Sequence, residues 1–241
     1  MIQVRNISKT IGNRMILNSI NFSIPSGCIV GIIGHNGAGK TTLLRLMAGL
    51  LSADQGEILF DGQQVKYENK LIRYRIGYMP EDGGLYRRLN LSENLRFALR
   101  FYPHITRPEE QIEKYLKIFD LTNRRGEKIG KLSGGMRRKI LFIKSIVHKP
   151  ETLLLDEPFN GFDVESRLRV CSILHKMSVN GGAVCISSHS TGELEKICNT
   201  YLFIKDGFLI FGGGVKDIYG KFASSENESL ASLYLKVMKS Q

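Results

Sequence analysis

The chain has no uninterrupted apolar stretch near the ~20 residues a helix needs to cross a bilayer, so it does not read as a membrane-spanning protein. Cysteine is scarce: Cys28, Cys171, Cys185 and Cys198 show neither metal-ligand nor paired spacing. That excludes a disulfide scaffold and a zinc module, and apolar neighbours mark the four as small core residues suited to a reducing cytosol. No internal repeat, low-complexity tract or long linker is visible, which excludes a solenoid or a beaded array. No basic run interleaved with aromatics occurs, so a specific nucleic-acid surface is not expected. The net charge of +11 fits an acidic partner, whether nucleotide, anionic lipid headgroups or nucleic acid, and composition alone does not choose among them. The first residues, Met1-Ile2-Gln3-Val4-Arg5, read as a strand rather than a signal peptide.

What is present is organised around Gly34-His35-Asn36-Gly37-Ala38-Gly39-Lys40-Thr41-Thr42. An apolar run, Ile29 to Ile33, precedes it, and helix formers from Leu43 to Ala48 follow. Strand, glycine turn and helix start are the context of a phosphate-binding loop. The glycines let successive N–H groups face an anion, and the helix dipole adds partial positive charge. Lys40 is placed to reach β- and γ-phosphates, and the Thr41 hydroxyl to ligate Mg²⁺. Two glycines, a lysine and a hydroxyl residue at these spacings arise by chance about once in a hundred chains of this length. The loop therefore predicts nucleoside triphosphate binding.

Around it, residues 1 to 33 alternate apolar and polar with turns at Gly12-Asn13 and Pro25-Ser26-Gly27, predicting partly antiparallel strands. Gly49 ends the loop helix, and further strands are expected at Gly56 to Gly62 and Arg75 to Met79. From about Leu85 to Val147 the period turns helical, with Ser92 as an expected cap and Thr106 with Glu109 as an expected capping box. Ile112, Tyr115, Leu116 and Phe119 share one face of the second of these helices. Strand, helix, strand returns at Thr152 to Leu155, Ser166 to Met177 and Ala183 to Ser187, which implies a mostly parallel sheet covered by helices. A late hairpin is expected around Asp206-Gly207. A C-terminal helix, about 226–239, carries an apolar stripe of Leu230, Leu233, Tyr234 and Val237 that docks on its own domain.

Two further constellations carry chemistry. Thr152 to Glu157 is an apolar strand ending in two carboxylates, and the end of such a strand faces the ligand crevice. Asp156 suits Mg²⁺, while Glu157, one residue on, suits activation of the attacking water. Leu132-Ser133-Gly134-Gly135-Met136 places a good N-cap and two glycines before a helix, a second anion site lying 23 residues before Asp156.

Together these stretches resemble the ATP-binding cassette (ABC) ATPases over essentially the whole chain. The phosphate loop matches Walker A, Leu132 to Met136 the signature, Leu153 to Glu157 Walker B, Asn160-Gly161-Phe162-Asp163 the D-loop, and His189 the H-loop. The resemblance implies an α/β P-loop fold: a mostly parallel core sheet, an N-terminal antiparallel β subdomain and a helical subdomain inserted at about 85–147, all within one nucleotide-binding domain of residues 1–241. It implies ATP and Mg²⁺ as ligands, with Thr41, Asp156 and Glu81 at the metal and Glu157, His189 and Glu81 as catalytic residues. The loop residues 34 to 42, Ser133, Gly134, Gly135, Asp163 and the position of Ile11 would contact nucleotide. It further implies a homodimer or paired cassette, in which Walker A of one copy and Ser133 and Gly135 of the other sandwich each ATP.

Three positions depart from the commonest family pattern. Glu81 stands where glutamine is usual, Met136 replaces the signature glutamine, and Ile11 occupies the place of the aromatic that stacks on adenine. Ile76 to Tyr86 looks like the version found in ABC-2-type exporter ATPases. The expected function is thus the ATPase subunit of a membrane exporter, working with separate transmembrane permease subunits on the cytoplasmic face of the membrane. A non-transport ABC ATPase serving assembly, such as that of iron–sulfur clusters, is the alternative of similar length. Without an aromatic at Ile11, GTP is expected to be used comparably to ATP.

Overall fold

The computed structural model describes residues 1–66, 68–223 and 228–239. β1 (Ile2–Ile11) and β2 (Arg14–Ile24) pair antiparallel across the Gly12-Asn13 turn. β3 (Ile29–Ile33) leads into α1 (Lys40–Met47), followed by β4 (Gln55–Phe60), β5 (Gln63–Gln64), α2 (Lys70–Tyr74) and β6 (Ile76–Met79). Three helices come next: α3 (Leu91–Leu99), α4 (Pro108–Ile118) and α5 (Gly134–Ile146). The chain then runs β7 (Thr152–Asp156), α6 (Val164–Val179), β8 (Ala183–Ser188), α7 (Thr191–Leu194) and β9 (Thr200–Lys205). It ends with β10 (Phe208–Gly214), α8 (Val215–Phe222) and α9 (Leu230–Lys239).

Two sheets result. The first, ordered β2-β1-β4-β5, is antiparallel; the second, ordered β10-β9-β3-β8-β7-β6, is parallel except for β10 at its edge. β3 and β7 are buried along their whole length because both faces of the parallel sheet are covered. Their period-2 alternation divides the interior. Ile29, Ile33, Leu153 and Leu155 join the core under α3 to α6, while Val30, Ile32 and Leu154 join the core under α1 and the first sheet. Register then sets the site: Ile33 lies opposite Ser188, and Asp156 opposite Ser187. The phosphate loop, the two carboxylates and His189 therefore leave the sheet at the same edge.

Several local expectations need correction. Asn90, not Ser92, caps α3; its side chain accepts from Glu93 N while Glu93 reciprocates. Ser92 is buried within the first turn. Thr106 caps nothing: α4 starts from Arg107 with Pro108 in the first turn. Proline at that place bars the preceding residue from helical backbone, and Glu109 is drawn off to Arg96. The segment before α3 is not helical, α6 extends two residues beyond each expected end, and α8 follows directly on β10, unforeseen. Cys185 and Cys198 are buried as expected, whereas Cys28 and Cys171 are only half-buried. The C-terminal stripe docks inward, with Leu230, Leu233 and Val237 buried and Tyr234 edge-on to Phe203 at 5.2 Å. Residues 226 and 227 of the expected helix lie outside the described residues.

Candidate functional site

The loop between β3 and α1 wraps an anion-sized space because its glycines can go where other residues cannot. Gly39, the residue before α1, has φ +107°, and a Cβ there would stand 2.6 Å from Leu17 Cδ2. No side chain caps α1. Its first N–H groups, at Lys40, Thr41 and Thr42, thus carry the dipole's positive end uncapped. Lys40 is 7% exposed and curls back over the loop, its Nζ donating to the carbonyls of Gly34 (2.7 Å) and His35 (3.2 Å). Burial holds its pKa below the usual lysine value, opposed by Glu157, Asp156 and Glu81. An ammonium already stripped of water, with carbonyls as stand-ins, gains most from a phosphate oxygen. His35, exposed, pairs with Asp206 (Nε2–Oδ1 3.2 Å) from the turn between β9 and β10.

The carboxylates divide as their alternate directions require. Asp156 Oδ1 accepts from Ser187 Oγ at 2.5 Å, while its Oδ2 is buried with no hydrogen-bond partner. A buried carboxylate oxygen left open is costly unless a ligand claims it. Glu157 sits at φ +46°, a left-handed backbone that costs a non-glycine residue about 1–2 kcal/mol. Two bonds hold it there: its N–H donates to Ser187 Oγ (3.1 Å) and to Ser187 O (3.2 Å). The outcome is a carboxylate 3.0 Å from His189 Nδ1 and 4.0 Å from Lys40 Nζ. Lys40, Asp156, Glu157 and His189 are thereby brought to one crevice from three separate stretches.

The other expected residues fall elsewhere. Glu81 is exposed beyond β6, near enough to Lys40 to raise its pKa. Ser133 caps α5, accepting from Met136 N at 3.2 Å, and Gly134 and Gly135 form the first turn. Among the described residues, no hydrogen bond or ion pair joins Ser133, Gly134 or Gly135 to the phosphate loop. Asp163 caps α6 and meets Lys139 at 3.2 Å; the hydrogen bonds from Ser166, then Lys139, hold its pKa well below the usual carboxylate range. Ile11 lies at the tip of β1, 52% exposed and opposite Arg14.

Two residues were missed. Ser187 orients both carboxylates, yet one serine near a strand end carries no signal in sequence. Arg138 binds the carbonyls of Pro80, Glu81, Asp156, Glu157 and Pro158. Nothing in a basic run of three distinguishes it from Arg137 and Lys139.

Comparison with known proteins identifies the family and the fold. The ABC transporter family matches residues 17–160. An ABC transporter ATP-binding protein of Methanocaldococcus jannaschii is 33% identical over 93% of this chain and 82% of its own length. The linearmycin resistance ATP-binding protein LnrL of Bacillus subtilis is 34% identical over 90% and 70%. The sulfate/thiosulfate import ATP-binding protein CysA of Neisseria meningitidis is 33% identical over 91% and 63%. Among solved structures, an ATP-binding subunit of an ABC transporter superposes with a TM-score of 0.92 at 26% identity, covering 99% of each chain. A dimeric cassette in a post-hydrolysis state with ADP and Pi, 22% identical, shares the fold at a TM-score of 0.82 over 89% and 99%. The chain belongs to the ABC transporter family, as its ATP-binding and ATP-hydrolysing subunit.

Proposed function

We propose that this ATPase subunit powers a membrane exporter, two cassettes closing on ATP and pulling on separate transmembrane subunits at the cytoplasmic face of the membrane. The observation that carries the dimer is the separation of two anion sites: the phosphate loop lies on the core and the Ser133-capped start of α5 elsewhere, with no bond between them. A triphosphate held by Lys40 and the N-terminus of α1 then meets Ser133 and Gly135 of a second copy. Export is favoured by the resistance relative and by the Ile76 to Tyr86 stretch. The importer relative makes direction a matter for experiment. A groove of about 490 Å³ lined by Ala48, Leu50, Lys70, Tyr74 and Phe101 suits a short amphipathic helix of the membrane subunit. Leu50 and Phe101, 47% and 58% exposed, offer its apolar contact, and Lys70 prefers an acidic end.

Magnesium fits the residues present. Asp156 Oδ2 is buried and unpartnered, and with Thr41 in the first turn of α1 and the exposed Glu81 it would hold the ion. Bound there, Mg²⁺ would neutralise charge on the β- and γ-phosphates. Lys40 grips the same phosphates, Glu157 takes a proton from the attacking water, and His189 fixes the Glu157 carboxylate and faces the γ-phosphate. Ser187 keeps Asp156 and Glu157 aimed.

Glu157→Gln removes the proton acceptor and keeps the shape. Hydrolysis should fall at least about 100-fold while nucleotide affinity holds, and light scattering should show an ATP-dependent dimer. Near-normal turnover would remove Glu157 from its role; a monomer at saturating ATP would remove the sandwich. Co-purification with a multi-span membrane protein tests the transport assignment, and soluble partners alone would favour the assembly class.

A further inference from the structure

The side chain of Arg138, at the start of the second turn of α5, is spread over five backbone carbonyls on two loops. Nε donates to Pro158 O (3.4 Å), and Nη2 to Asp156 O (3.0 Å) and Glu157 O. Nη1 donates to Pro80 O (3.4 Å) and to Glu81 O. Three consecutive carbonyls, 156 to 158, converge on one group because the left-handed backbone at Glu157 turns the chain there. Only a planar fork with five N–H donors serves so many acceptors; a lysine has three.

This cation is half-buried. Burial pulls its pKa below the usual arginine value, countered by Glu81, Asp82, Asp156 and Glu157. Beside it a cavity of about 600 Å³, lined by Glu81, Leu85, Gly134, Leu141 and Gly161, lies between the helical part and the core. The guanidinium spans this junction where close packing does not. Its neighbours on α5 reach the same loops: Lys144 donates to Gly84 O, and Lys139 pairs with Asp163.

We propose that Arg138 is a positioning residue that locks the Glu81 loop and the Asp156–Pro158 turn to the start of α5, so that Glu157 keeps its hydrolytic geometry only while that helix is seated. The partner copy's triphosphate would meet the N-terminal turn of α5, and Arg138, one turn further along the same helix, carries its seating to Glu157. The inference rests on the reading of Glu157 as the proton acceptor.

The test compares Arg138→Met, Arg138→Lys and Glu157→Gln in ATP turnover and nucleotide titration. R138M should keep KM and nucleotide affinity within about threefold, because Lys40 and its loop are untouched, while kcat falls about 30-fold or more. R138K, with the charge but fewer donors, should recover part of that loss. Wild-type kcat in R138M, or equal loss of kcat and affinity, overturns the proposal. Should R138M not fold, R138K decides: kcat at least about threefold down at unchanged KM supports the clamp, and wild-type kcat overturns it. An active E157Q removes the base reading and the clamp with it, whereas an inert E157Q beside a fully active R138M overturns the clamp alone.

Discussion

The two anion sites of this chain are built on opposite terms. At the phosphate loop the lysine and the two carboxylates are already inside: Lys40 and Glu157 are each 7% exposed, and Asp156 is 1% exposed. Buried strands on both sides of β3 hold them, so the loop binds its ligand with little left to order. At the start of α5 the polar groups face out. Ser133 and Gly134 are exposed, and the Ser133 cap satisfies only one of the orphan N–H groups of the helix. The first is a finished site and the second half of one. The difference is what the proposed sandwich requires: a buried crevice on one chain and an open helix start for a second copy's nucleotide to meet.

The sharpest way to break this comparison is at Lys40. Lys40→Ala should weaken nucleotide affinity at least about 100-fold, about 3 kcal/mol, in a titration with fluorescent nucleotide. A loss under about tenfold would mean that the loop backbone alone does the gripping.

The far end of α5 offers the next test. His148, just past that helix, stacks on Tyr102 at 4.0 Å with its Nδ1 buried and unpartnered. Burial lowers its pKa from 6.5 to about 4. Since the unfolded chain binds the proton more readily, stability is intact above pH ~6.5 and falls as pH drops toward ~4. The loss approaches about 3 kcal/mol. Urea unfolding at pH 7 and pH 4.5 should show it, and His148→Gln should flatten the difference; an equal slope in both proteins would clear His148 of the effect.

Smaller effects sharpen the contrast. Ile11→Tyr should tighten ATP about tenfold, within the 1–3 kcal/mol that stacking on an aromatic supplies, and wild-type preference for ATP over GTP should stay under about tenfold. A strong ATP preference without the ring would mean another side chain reads the base. Ser133→Ala should cost about 1 kcal/mol of stability and leave affinity of the monomer for ATP unchanged. In the Glu157→Gln background it should weaken the ATP-held dimer, measured by light scattering. A change in monomer affinity instead would place Ser133 at its own chain's nucleotide.

The parts of the site that chemistry needs as residue types were legible early. A glycine-rich turn with lysine, paired acids at a strand end and a serine before two glycines are constraints of backbone freedom, charge and capping, all written in adjacent residues. The correction at Asn90 shows the limit: Ser92 and Asn90 are both good caps, and which one starts α3 depends on Glu93 reaching back and on the 127–131 segment bonding Leu89 and Leu91. At Thr106, a proline two residues on outweighed the capping pattern.

By itself the sequence determined the main strands, the longer helices and the reactive groups, because strand and helix periods and glycine turns depend on neighbours a few residues away. It also determined that Lys40, Asp156 and Glu157 would share one end of a parallel sheet. Only the tertiary structure decided that Ser187 would aim both carboxylates, that His189 would reach Glu157, and that one guanidinium on α5 would hold two loops. Those contacts join residues from about 20 to over 50 positions apart. Their geometry is set by the register of β7 against β8 and by the left-handed turn at Glu157, which no periodicity in the sequence records.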